Sequence, residues 1–187
     1  MAGADRGDTP RRVADVAPAS HERVLVVADA SVLINFLRAG RLDLLRHHEG
    51  YRIVVTEHVR TEVRYPDQAA ELAEAITAGD IEETQVTDPV ELEVFAELHA
   101  VLGRGESASI AVAANRGWVI AMDEVGRARR EVYERVGSGR LINTPGLILS
   151  CVRNGATTVA EADGIKKRLE SQGQSFALAF ESFGDLL

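Results

Sequence analysis

The chain has a single cysteine, Cys151, among 187 residues. One thiol supports neither a disulfide framework nor a thiolate metal cluster. Five histidines are present, but none has zinc-ligand spacing, and His47 and His48 are adjacent in sequence. Aromatic residues make up only 5% of the chain, and lysine occurs only at Lys166 and Lys167. No run approaches the ~20 apolar residues that cross a bilayer, so no membrane association is expected. Residues 1–22 lack the apolar centre of a signal peptide, and Arg11-Arg12 precede no apolar run. The expectation is a cytoplasmic protein with a flexible tail over 1–22. A single domain over 23–187 follows, ending in a C-terminal helical extension. What is present is ordinary globular material, 45% apolar and 27% charged, with length enough for a full core. A net charge of −8 argues against a protein that coats nucleic acid by bulk attraction. It is compatible with carboxylates gathered around a cation.

The stretch VLVVADASVLIN, residues 24–35, organises the rest. Its short apolar run fits a strand buried on both faces, as in a parallel sheet. Asp29 ends the run, and Val32, Leu33, Phe36 and Leu37 follow at helical spacing. YRIVV at 51–55 and WVIAM at 118–122 repeat the pattern of a buried strand, with weaker candidates at 81–86 and 141–142. Helices are expected between them, including 67–78, a Pro89-initiated helix bearing Leu92, Phe95, Leu98 and Leu102, and a helix over 124–136. Further helices are expected from Thr144 and over 160–171. Phe176, Phe180, Phe183 and Leu187 have the spacing of one more helix face. Alternating strands and helices with long connections predict an α/β fold, three-layer α/β/α, with a mostly parallel central sheet.

Two of the strands end in an aspartate, Asp29 and Asp123. Side by side in a parallel sheet, they would reach the same edge, outside the carboxyl ends of the strands. Glu106 opens the helix that leads into the second of these strands, and Glu62 lies on the helix after YRIVV. Clustered carboxylates repel unless a cation sits among them. Oxygen ligands without histidine or cysteine favour Mg²⁺ or Mn²⁺ over zinc. Phosphodiester hydrolysis is the chemistry such a site serves best.

DASVLIN at 29–35, TEHVRTEV at 56–63, GRGESASIAVA at 103–113 and MDEVGRARR at 122–130 together resemble the PIN-domain family, in order and in interval. LINTPGL at 141–147 resembles a late strand-then-helix segment of the same family. The resemblance spans roughly 24–155. It implies a metal-dependent ribonuclease acting on RNA, with Asp29, Glu62, Glu106 and Asp123 as the acidic quartet. It also implies Mg²⁺ or Mn²⁺ at Asp29, Glu106, Asp123 and Glu124, the last standing beside Asp123. Ser31 falls where the family often has a small hydroxyl residue. Small members of the VapC type are toxins held by an antitoxin and often homodimeric, so these partners are expected too. The acidic segment 67–102 is longer than in compact toxins.

Each residue also has a plainer reading. Asp29 could cap the helix at Ser31, Glu106 could answer the helix dipole, and Glu62 could be an exposed helical glutamate. Arg104 and Arg127, with Arg129 and Arg130, could meet RNA phosphates or be ion-paired on a solvated surface. His58 reads as a solvated histidine. An aspartyl-phosphate phosphatase would want an acid where Ser31 stands, and a receiver domain would want a lysine after its last strand. The remaining alternative is a catalytically silent PIN-like RNA-binding or scaffold module.

Overall fold

The computed structural model describes residues 23–173 and 179–187. The expected tail over 1–22 and Phe176 lie outside them. The first strand, β1 (Val24–Ala28), shows why the chain needs two helical layers. Successive side chains point to opposite faces, and Val26, Val27 and Ala28 are all fully buried. A strand covered on both faces is the mark of a parallel sheet inside helices. β2 (Tyr51–Thr56), β3 (Glu82–Thr84), β4 (Val119–Ala121) and β5 (Leu141–Ile142) complete the sheet in the order β3-β2-β1-β4-β5. All pairings are parallel, with Val27 flanked by Val54 and Ile120.

One face is covered by α1 (Ala30–Ala39), α2 (Asp43–Arg46), α3 (Glu57–Glu62), α4 (Pro66–Thr77), α8 (Thr144–Arg153) and α9 (Val159–Ser171). Their core gathers Val26, Leu33, Phe36, Ile53, Leu72, Leu147 and Phe183. The opposite face carries α5 (Pro89–His99), α6 (Arg104–Arg116) and α7 (Arg127–Arg135), with Val27, Ile110, Ile120, Met122 and Val132 in its core. Alternate residues of β1 thus feed separate cores, and the fold is three-layer α/β/α. Among the described residues no helix is long and apolar enough to cross a membrane.

The strand order places the site. From β1 the chain steps outward to β2 and β3, then returns to β4 on the other side of β1. The gap between the carboxyl ends of β1 and β4 is therefore the topological switch point, where open α/β sheets leave a crevice. Asp29 directly follows β1, and Asp123 lies two residues beyond the end of β4.

Three sequence expectations change. Leu92 is 47% exposed and Glu91 is buried instead, paired with Arg116 at 2.6 Å, while Phe95, Leu98 and Leu102 keep the inner positions expected of them. The helix expected from Glu124 begins only at Arg127, since Gly126 adopts φ 68, a left-handed conformation that L side chains avoid. Glu124 is therefore a loop residue. The terminal phenylalanines do not share one helix: residues 179–182 are non-helical and a short 3-10 turn spans Phe183–Leu186. Asp163 on α9 accepts from Ser182 Oγ and the Phe183 N–H at 2.8 Å each, seating Phe183 in the core while Leu187 stays exposed.

Candidate active site

Asp29 is both a cap and a buried acid. It is 2% exposed. Its Oδ2 accepts the Ser31 N–H at 3.2 Å and the Ser31 hydroxyl at 2.8 Å, holding the first turn of α1. Its Oδ1 is buried without a hydrogen-bond partner among the described residues. Burial disfavours the carboxylate and is the largest influence on it. Hydrogen bonds from Ser31 oppose that, and the Glu106 charge adds to it, so the pKa is pushed up to about 6.

Asp123, by contrast, has both carboxyl oxygens hydrogen-bonded. Its Oδ1 accepts the Thr144 N–H at 2.8 Å, and its Oδ2 accepts Asn35 Nδ2 at 2.8 Å and the Thr144 hydroxyl. Ser31 ties the two aspartate loops together, because its Oγ also accepts the Asp123 N–H at 3.2 Å. Glu106 reaches back to accept the Gly103 N–H at 2.9 Å, tying down the start of α6. Glu62, at the end of α3, accepts the Gly105 N–H at 2.8 Å. The close approach depends on a glycine, since a Cβ on Gly105 would lie 2.7 Å from Glu62 Oε2. Glu124 stands on the loop beside Asp123. Partial desolvation, then the Glu106 and Asp123 charges, raise its pKa.

Glu106 thus acts electrostatically on both Asp29 and Glu124, while Glu62 joins through the α6 backbone. The donor chemistry suits a hard cation: all oxygen, with one open buried Oδ1 and the Glu106 charge adding to the raised pKa values of Asp29 and Glu124. The convergence is looser than the donor chemistry. Among the described residues no group of three or more His, Cys, Asp or Glu side chains is arranged to hold a metal ion. Arg104 and Arg127 are exposed and make no ion pair within the described residues. His58 is half-buried, stacked on Phe95 with ring centroids 4.9 Å apart.

Sequence reasoning passed over Asn35 and Thr144, both fully buried and both bound to Asp123. Asn35 had a signal, a lone amide inside the apolar α1 pattern. Thr144 had only its place before Pro145, which suggests a helix start and nothing more.

The family model described as DUF3368, PIN domain, matches residues 25–173. No curated protein matches the chain. Among solved structures the chain is similar to PAE2754 from Pyrobaculum aerophilum, at 19% identity and a TM-score of 0.43 over 73% of this chain and 100% of that one. PIN domains as a class are nuclease folds that typically use divalent metal ions. The match takes in every strand and every helix from α1 to α9, and the chain belongs to the PIN-domain family.

Proposed function

We propose that the chain is an endoribonuclease dependent on Mg²⁺ or Mn²⁺, and the toxin of a toxin–antitoxin pair. The observation that carries the nuclease reading is Asp29, a buried carboxyl with an open Oδ1 at the switch point, under the influence of Glu106. On this reading Asp29, Glu106, Asp123 and Glu124 would hold the cation, which supplies an activated water and a counter-charge for the leaving oxygen. Ser31 keeps Asp29 and the Asp123 loop in register. Glu62 anchors the first turn of α6 and so positions Glu106. Arg104 and Arg127 supply unpaired positive charge for RNA phosphates. The toxin assignment, with its antitoxin and homodimer, rests on the resemblance of the four sequence blocks to VapC-type members.

The competing reading is a catalytically silent RNA-binding module. It draws on the lack of a three-ligand arrangement among the described residues. Cleavage of a mixed-sequence single-stranded RNA with Mg²⁺ or Mn²⁺ separates the two, comparing wild type with Asp29→Asn, Glu106→Gln and Glu124→Gln. Circular dichroism checks that each variant folds. Metal-dependent cleavage lost in folded Asp29→Asn supports the nuclease. An inactive wild type with either metal, or equal cutting by all variants, favours the silent module. Growth arrest on expression, relieved by Asp29→Asn, would support the toxin assignment.

A further inference from the structure

A recess of about 290 Å³ opens one strand away from the acidic edge, between α7, the 3-10 turn Ser138–Arg140, and the start of α8. Its polar wall is Arg129, Tyr133, Ser138 and Asn143, over a floor of Leu141 and Ile142. No acidic residue lines it, in a chain of net charge −8. Its size lies at the lower end of small-molecule sites, about 300–1,000 Å³, which suits one nucleotide and not a folded segment.

Arg129 is the reason to expect a ligand. Six other arginines, at positions 41, 46, 52, 60, 116 and 135, are ion-paired with carboxylates. Arg129 makes no ion pair or hydrogen bond within the described residues, and its Nε is buried without a partner. A guanidinium N–H removed from water and left unpaired disfavours the folded state unless an acceptor meets it. The recess beside it could supply one, and phosphate oxygens suit the planar donor fork. Tyr133, 47% exposed, adds an aromatic face at the rim. A cation for phosphate, a ring for a base and the free Asn143 Nδ2 for a base edge or sugar together describe a nucleotide.

The position fits the chemistry next door. Ile142 O accepts the Met122 N–H at 2.9 Å, and Asn143 directly precedes Thr144, whose N–H and hydroxyl grip Asp123. We propose that Arg129, Tyr133 and Asn143 form a nucleotide subsite that seats single-stranded RNA beside the acidic edge. The proposal rests on the ribonuclease reading for the identity of its ligand.

The test measures binding in EDTA, where no cleavage intervenes. A fluorescent mixed-sequence single-stranded 12-mer RNA is titrated against the full chain and followed by anisotropy across a salt series. Arg129→Gln should weaken binding on the order of tenfold and shrink the slope of log K against log salt by about 0.7, one phosphate's share. Tyr133→Ala should weaken it several-fold, and Tyr133→Phe, which keeps the ring, should restore it. Circular dichroism confirms that each variant folds. Arg129→Gln binding within twofold of wild type with an unchanged slope overturns the subsite, as does Tyr133→Phe binding as weakly as Tyr133→Ala. Full loss on adding millimolar inorganic phosphate to the wild type, with no dependence on Tyr133, would mean a bare anion hole and also overturns it. A protein that never cuts RNA but shows the expected losses keeps the subsite and loses the nuclease. Normal cleavage with unmoved binding in both variants does the reverse.

Discussion

Gly105→Ala should move the Glu62 carboxylate without harming the fold. Gly105 lies in the first turn of α6 and is not among the positive-φ glycines, so alanine fits its backbone. Replacing glycine by alanine in a helix ordinarily stabilises by about 0.5–1 kcal/mol. Here the new Cβ would stand 2.7 and 2.8 Å from the Glu62 oxygens and 2.9 Å from Cδ, closer than side-chain carbons approach one another. The obstruction is the end of a flexible side chain, so Glu62 swings away and α6 stays in place. That movement breaks the 2.8 Å bond from the Gly105 N–H, a loss of about 1 kcal/mol. Gain and loss nearly cancel. Stability should stay within about 1 kcal/mol of wild type, or some 2–4 °C in Tm for a chain of this size.

On the ribonuclease reading, cleavage should nevertheless fall to the level of Glu62→Ala, because Glu62 no longer accepts the Gly105 N–H in the turn that carries Glu106. A double-mutant cycle sharpens the argument. In a Glu62→Ala background nothing of the carboxylate remains to displace, so Gly105→Ala should stabilise by about 0.5–1 kcal/mol. Urea unfolding of the four proteins, with cleavage assays on each, decides the matter. Equal destabilisation by Gly105→Ala in both backgrounds would refute the steric account. Unchanged cleavage in Gly105→Ala, beside loss in Glu62→Ala, would show that Glu62 acts from some other position.

Three further outcomes follow from the same contacts. Asp29 keeps its proton to about pH 6 when folded, against the ordinary 3.8, so its contribution to stability is fully present below 3.8 and lost as pH rises through 6. Without metal at pH 7.5, Asp29→Asn should be the more stable protein by up to about 3 kcal/mol, and parallel pH profiles in EDTA would contradict this. Adding Mn²⁺ at pH 7.5 should raise the Tm of wild type and leave Asp29→Asn unmoved, since only the former gains a ligand on folding. Glu91→Gln should cost about 3 kcal/mol in urea unfolding, because it strips the buried partner of Arg116 from α5; a loss below 1 kcal/mol would mean the pair contributes little.

Most of the fold could be read from local pattern. VLVVA, YRIVV and WVIAM are short apolar runs that fit buried strands, and β1, β2 and β4 lie on them, β4 one residue shorter than its run at each end. Polar punctuation marked the helix starts, with Thr56 and Asp88 each accepting from a backbone N–H in the first turn. What failed were positions decided by a distant partner. Leu92 reads as buried from the spacing on α5 alone, and only Arg116, 25 residues away, explains why Glu91 is inside. The helix after β4 reads as starting at Glu124 because nothing in its composition announces the φ of Gly126.

The adjacent acids Asp123 and Glu124 show the same limit at the site itself. Sequence gives two carboxylates side by side and no means of telling them apart. Three-dimensional context separates them through residues 21 and 88 positions away: Thr144 and Asn35 hold both Asp123 oxygens. A carboxylate that accepts three hydrogen bonds is fixed in orientation. At Oδ2 both lone pairs are occupied, so Asp123 has at most one direction, at Oδ1, left to offer. Glu124 accepts no hydrogen bond within the described residues and is free to turn. The two neighbours therefore have different work available to them: Asp123 is a carboxyl fixed in place just beyond the end of β4, and Glu124 can turn to meet what binds beside it.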